Sequence, residues 1–242
     1  MRANAHTRTS TFASGLLAIL LTGGGVGFGA PQAANAPQPE GPRLVVSYVD
    51  IAPTSEAQAI ALLKAYRDAT RRDAGNRSAE VWQQSGPRGR FVIVEEWQDE
   101  ASRKKHRDSA QVAQFHEKLT PLRVSAYDER THTVFAVGAD APSSASAVLV
   151  VTHVDVVPNG LPTARELLQA QPAASRAEAG NLRFDVLQGA RPNHFTVLEA
   201  WRDERAREAH VAMTHTKTYR EGLRETAIDG APYDERLYRL VP

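Results

Sequence analysis

The chain has 242 residues, of which 42% are hydrophobic and 24% charged, enough to build a sizeable core and unlike a disordered or fibrous protein. Lys and Arg number 29 against 28 Asp and Glu, a balance that argues against a nucleic-acid surface, which needs a basic excess. There is no cysteine, so disulfides, thiolate zinc sites, iron–sulfur clusters and a cysteine nucleophile are excluded.

The first segment reads as an address. Arg2 and Arg8 sit in a polar start without acidic residues, and an apolar stretch follows from Gly15 to Ala30. Ala34-Asn35-Ala36 then supplies a small-residue cleavage site before Pro37. This order describes a secretory signal peptide over residues 1–36. The apolar part is Gly-rich and shorter than the roughly 20 residues of a spanning helix, so no stable membrane anchor is expected after cleavage; an uncleaved membrane anchor is the alternative. The expected location is periplasmic or secreted. Residues 37–43 are a Pro-rich lead-in.

From residue 44 each predicted element has a later counterpart. Leu44–Ile51 and Ala147–Val157 are β-branched runs, read as strands. Thr54–Arg72 carries Ala59, Leu62, Tyr66 and Ala69 at helical spacing. Its partner, Thr163–Glu178, contains Pro172, which is expected to kink or split it. Gly75 and Gly180 suit left-handed C-caps. Ala79–Gln84 and Leu182–Gln188 read as strands. The strands beginning at Phe91 and Phe195 follow, then Asp99 and Asp203 as N-caps, each placed to pair with the Arg four residues on. Helical stretches 100–118 and 204–224 come next. A final strand carries Tyr127-Asp-Glu-Arg130 in one half and Tyr233-Asp-Glu-Arg236 in the other.

The two halves are one unit written twice. Without gaps, residues 91–106 and 195–210 agree at seven of sixteen positions: Phe, Glu, Trp, Asp, Glu, Arg and His. The register also matches Asp50 and Pro53 with Asp155 and Pro158, and Gly75-Asn76 with Gly180-Asn181. Two homologous domains are therefore expected, at 44–137 and 147–242, joined by a linker at 138–146. Each has the order β-α-β-β-α-β, a ferredoxin-like unit. Such a sheet carries helices on one face only, and its bare apolar face must be covered. An α+β fold follows, with two tandem domains whose sheets close on each other as an intrachain pseudo-dimer.

The repeated Phe-x-x-x-Glu-x-Trp-x-Asp-Glu-x-x-x-x-x-His signature resembles the antibiotic biosynthesis monooxygenase (ABM) family of the dimeric α+β barrel superfamily. The resemblance covers most of residues 44–240. It implies oxidation of an aromatic phenol or anthrone by dioxygen without metal, flavin or haem. The partners it implies are an aromatic small molecule and dioxygen, not nucleic acid. The pseudo-dimer could also dimerise further. The superfamily hosts many reactions, so a non-catalytic small-molecule binder or stress-response protein, or a haem-binding or haem-degrading protein, stands as an alternative.

Candidate site residues follow from chemistry. His106 and His210 are the candidate catalytic proton shuttles, or else tie helix to strand. Trp97 and Trp201 either stack an aromatic substrate or pack between sheet and helix. Glu95 and Glu199 share their strand face and could act as raised-pKa bases or as paired buried carboxylates. Asn76 and Asn181 could donate to a substrate oxygen, as the resemblance implies, or equally close the helix before them. Trp82 has no aromatic counterpart in the second half, which suggests unequal pockets. Tyr48, Tyr127 and Tyr233 are either further phenol donors or ordinary strand tyrosines of a half-buried surface. His116 falls where haem-degrading relatives place an axial ligand, but the first strand lacks the partner asparagine those relatives use. No His-x-x-x-His pair with carboxylates at ligand spacing appears, so no metal site is expected.

Overall fold

The structure is a computed structural model and describes residues 41–139, 144–226 and 234–242. The expected signal peptide, Tyr233 and part of the 138–146 linker lie outside the described residues. Repeat 1 comprises β1 (Arg43–Asp50), α1 (Glu56–Thr70), β2 (Asn76–Gln84), β3 (Arg90–Trp97), α2 (Glu100–Arg107), α3 (Ala110–Leu119) and β4 (Asp128–Ala136). Repeat 2 follows the same order with β5 (Val148–Asp155), α4 (Leu161–Arg176), β6 (Asn181–Gln188), β7 (His194–Trp201), α5 (Glu204–Ala212), α6 (Thr214–Glu225) and β8 (Asp234–Leu240).

The eight strands form one closed barrel in the order β1-β3-β2-β8-β5-β7-β6-β4. Each half supplies four antiparallel strands, and the two joints are β2 with β8 and β4 with β6. Closure removes the free edges that an open sheet would expose. It also sets the two chemistries of each strand apart, because alternate residues point into or out of the barrel. Leu44, Val46, Trp82, Val92 and Val94 pack inside against Leu149, Val151, Leu187, Leu198 and Tyr238 of the other half. Phe91 and Ile93 point outward onto Ala59, Leu63, Tyr66, Phe115 and Leu119 of the helices. Phe195, Val197 and Trp201 do the same against Ala164, Leu168, Tyr219 and Leu223. The barrel interior is thus filled by side chains of both repeats, and each half keeps its own second core under its helices.

Local differences from the sequence expectation have physical causes. Each long helical stretch of the second βαβ unit is two helices. Ser109 caps α3 by accepting from the Val112 N–H, so the chain breaks at 108–109. Repeat 2 breaks at Met213, whose backbone is extended. Pro172 does not split α4, which runs continuously past it and buries the ring. Gly75 and Gly180 have φ of +85° and +91° but are not C-caps, since α1 and α4 have already ended at Arg71 and Ala177. A Cβ at Gly75 would lie 2.2 Å from Ser102 Oγ, so glycine there lets the turn approach the start of α2. Asp99 and Asp203 are N-caps, accepting from the N–H of Ser102 and Ala206 at 2.7 and 2.8 Å. Arg103 pairs with Glu100 and Glu129 rather than with Asp99, and Arg207 pairs with Glu235.

Candidate active site

Strand alternation places Glu95 and Trp97 on the outer face of β3, beneath α1, α2 and α3. Both are buried. The Trp97 indole N–H donates to Glu95 Oε2 at 3.2 Å. The Tyr66 hydroxyl, from the inner face of α1, donates to Glu95 Oε1 at 2.9 Å and lies 2.8 Å from His106 Nε2. His106 Nδ1 faces Asp73 Oδ2 at 2.6 Å. Four side chains thus form a continuous line from a buried carboxylate to the surface: Glu95, Tyr66, His106, Asp73. Asp73 is a third exposed and borders a surface cleft of about 160 Å³ that also touches His106.

The line has two arrangements with the same number of protons. In one, Tyr66 donates to an ionised Glu95, and a doubly protonated His106 donates to Tyr66 and to Asp73. In the other, a protonated Glu95 donates to Tyr66, Tyr66 donates to His106 Nε2, and Nδ1–H still donates to Asp73. Moving two protons along the line interconverts them. Burial pushes Glu95 above the usual carboxylate range, opposed by His106, Tyr66 and Trp97. Burial also pushes the Tyr66 phenol well up, so it stays protonated as the middle link.

Repeat 2 keeps the ends of this line and loses its middle. Gln171 stands at the position of Tyr66 in the register that matches Asn76 with Asn181. Its amide turns away, toward Ser175 and Thr216. Glu199 accepts from the Trp201 indole N–H at 2.8 Å, but its Oε1 has no hydrogen-bond partner among the described residues. Burial raises Glu199 to about 7. His210 stacks on Trp201 with ring centroids 4.4 Å apart, and its Nε2 is 3.8 Å from Glu199 Oε2. His210 Nδ1 meets Glu178 Oε1 at 2.7 Å.

The remaining sequence candidates fall elsewhere. Trp82 does not join Trp97 and His106. It points into the barrel against Tyr238, and its N–H donates to Glu80. Asn76 and Asn181 sit at β-bulges that open β2 and β6, where their amides donate to the carbonyls of Ser78 and Arg183 at 3.1 Å. Those donors are spent on the backbone rather than offered to a ligand. Trp97 and Trp201 are fully buried packing partners of the two histidines, not an open wall. The space beside Glu95, bounded by Ser47, Arg103, His106 and Tyr127, holds only about 10 Å³, the size of one water.

Two roomier clefts open at the barrel mouth, of about 480 and 680 Å³, and His153, Arg130, Asp128 and Asp155 line both. Here Tyr48 Oη lies 2.7 Å from His153 Nε2, and His132 Nε2 lies 3.0 Å from Thr196 Oγ1. Burial holds His132 and His153 down to about 4 and keeps Tyr48 protonated, so Tyr48 donates to His153. The sequence offered a signal for this layer. In the repeat register Tyr48 meets His153, and His132 meets Tyr238, so each half supplies one histidine and one tyrosine in exchanged positions. Also unforeseen is the meeting of Glu178, His210 and His215, whose donor atoms lie within 4.8 Å of one another. The break at Met213 and the arrival of Glu178 from α4 assemble them, which helical spacing alone could not reveal.

Two tandem βαββαβ units closed into one barrel define a dimeric α+β barrel built within a single chain, an intrachain pseudo-dimer. The chain belongs to the antibiotic biosynthesis monooxygenase family, whose profile matches residues 42–118 and 147–222. No curated protein matches the chain. Similar solved structures include a candidate monooxygenase from Fusobacterium nucleatum, at 14% identity and a TM-score of 0.76, covering 84% of this chain and 93% of that one. A candidate monooxygenase from Lactobacillus acidophilus is similar at 13% identity and a TM-score of 0.70, covering 84% and 95%. An anthrone oxidase-like protein is similar at 15% identity and a TM-score of 0.65, covering 85% and 93%. At these identities the likeness speaks for the shared fold.

Proposed function

We propose that the protein is a monooxygenase that oxidises an aromatic phenol with dioxygen, and that repeat 1 handles the proton. The observation that carries this is the buried Glu95–Tyr66–His106–Asp73 line, joined to family membership. In this reaction a phenol loses its proton, the phenolate passes one electron to dioxygen, and the two radicals combine at a ring carbon. The resulting hydroperoxide loses water, with the ring hydrogen leaving as a proton, to give the quinone. One oxygen atom ends in the quinone and the other in water, and the substrate supplies every electron. Glu95 accepts the phenol proton, Tyr66 relays it by taking one proton as it gives its own to His106, Asp73 faces that imidazole, and a proton returns along the same line to turn the peroxide anion into the hydroperoxide. A base in a water-excluded site needs such an exit. The space beside Glu95 is water-sized, so this reading requires the site to open when substrate binds. Export is part of the same proposal, resting on the leader-like first 36 residues.

The test is labelled dioxygen with anthrone and monohydric phenols, with a chelator present and heat-inactivated protein as the blank to be subtracted. One labelled oxygen in each quinone supports the reading, and no quinone from any phenol rejects it. A second reading, a non-catalytic binder of a small polar-edged aromatic, is favoured by the ligand-sized clefts around Tyr48 and His153. Saturable binding of the same phenols that is lost in Tyr48→Phe, without turnover, would favour it.

A further inference from the structure

We propose that Glu178, His210 and His215 form a binding site for one divalent transition ion of the Zn²⁺ class, present in repeat 2 and lacking in repeat 1. Glu178 Oε1 lies 2.7 Å from His210 Nδ1 and 3.1 Å from His215 Nε2. Two imidazole nitrogens and one carboxylate oxygen are the donor set of borderline divalent ions, which leaves further coordination positions for water. Metal–ligand bonds of about 2.0–2.2 Å require donors about 3–3.5 Å apart, so small side-chain rotations seat an ion between them.

The groups behind the donors are arranged for this. The Gln171 carbonyl faces His215 Nδ1 at 3.3 Å, which places the ring proton there and leaves Nε2 as the free lone pair. The other nitrogen of His210 points to the Glu199 carboxylate, and the ring is held flat on Trp201. A carboxylate behind a ligating imidazole is the usual orienting device of such sites. Access is one-sided: His210 is 2% exposed, while His215 is 32% exposed. The site would pin the end of α4 to α5 and α6. In repeat 1 the shorter Asp73 meets His106 alone, and Gln111 occupies the position of His215.

The alternative account of the same geometry is a Glu–His ion-pair cluster with no ion. Titrating the tag-free, chelator-treated chain with Co²⁺ separates the two. One equivalent with the visible bands of a low-coordinate Co²⁺ is expected, displaced by Zn²⁺. His215→Ala, at a half-exposed position that keeps the fold, and Glu178→Gln should each weaken binding by more than about tenfold. His106→Ala should leave the bands unchanged. Absence of bands at stoichiometric Co²⁺, or full affinity in either repeat 2 variant, overturns the proposal. So does a loss in His106→Ala matching that in His215→Ala. The site does not rest on the oxidation reading, since ion binding and oxygen incorporation are read separately.

Discussion

Repeat 1 and repeat 2 hold the same Glu–Trp pair on the same strand and the same histidine on the following helix. They diverge at two positions contributed by other helices. Tyr66 in repeat 1 bridges Glu95 to His106, whereas Gln171 in repeat 2 bridges nothing to Glu199. His215 in repeat 2 gives His210 an imidazole neighbour, whereas Gln111 stands there in repeat 1. A shared framework thus carries a hydrogen-bonded line of four side chains in one half and a Glu–His–His cluster in the other. The duplicated signature builds the scaffold, and the unduplicated positions change what surrounds the shared histidine.

The sharpest break in this comparison concerns the tryptophans. Trp97→Ala and Trp201→Ala each remove a fully buried indole, and each should cost about 3–5 kcal/mol in denaturant unfolding. The repeat 2 variant should lose more, because among the described residues Glu199 would keep only His210 Nε2 at 3.8 Å, beyond hydrogen-bond distance, whereas Glu95 would keep Tyr66 at 2.9 Å. Equal losses would show that the carboxylates do not feel the difference.

Next in size is a pH effect at the barrel mouth, where the halves exchange histidine and tyrosine. The unfolded His132 ring takes a proton near 6.5, and the folded one only near 4. Between these values the unfolded chain holds more protons, so stability falls as pH drops from 6.5 toward 4 and is insensitive to this group above about 7. The loss at pH 4 should be roughly 3 kcal/mol, and His132→Gln should flatten that part of the stability curve. His153, also held to about 4, adds a loss of the same sign. A curve unchanged by His132→Gln would contradict the assignment.

The smallest effect should be the same in both halves. Asp99→Ala and Asp203→Ala each remove one N-cap, at about 1 kcal/mol apiece by thermal unfolding. A marked inequality would mean that α2 and α5 are not equivalent parts of the scaffold.

The barrel was legible because two signals agreed. Period-2 alternation in the strands marked two apolar faces, and the in-register repeat supplied a second sheet to cover the bare one. The pairing of Glu95 with Trp97 was legible from alternation as well. Tyr66 was not, because an aromatic at helical spacing beside Ala59 reads as core, and its hydroxyl's partners come from a strand and another helix. The repeat itself held the missing signal, since Tyr66 faces Gln171 where its neighbours match. The inward aim of Trp82 was not legible, because an unmatched tryptophan on a strand reads equally as a pocket wall and as barrel filling. The asparagines were read as ligand donors because a bulge leaves no trace in composition. Glu178, His210 and His215 escaped detection because two helices and a break bring them together.

The central claim is that Tyr66 is the middle link of a working proton line. Oxygen uptake by the wild type and by Tyr66→Phe, on a phenol the wild type oxidises, tests it most directly. The account predicts that kcat falls by about a hundredfold or more in Tyr66→Phe while KM changes little, with assays run well below the variant's melting temperature. Uptake by Tyr66→Phe at the wild-type rate would contradict it.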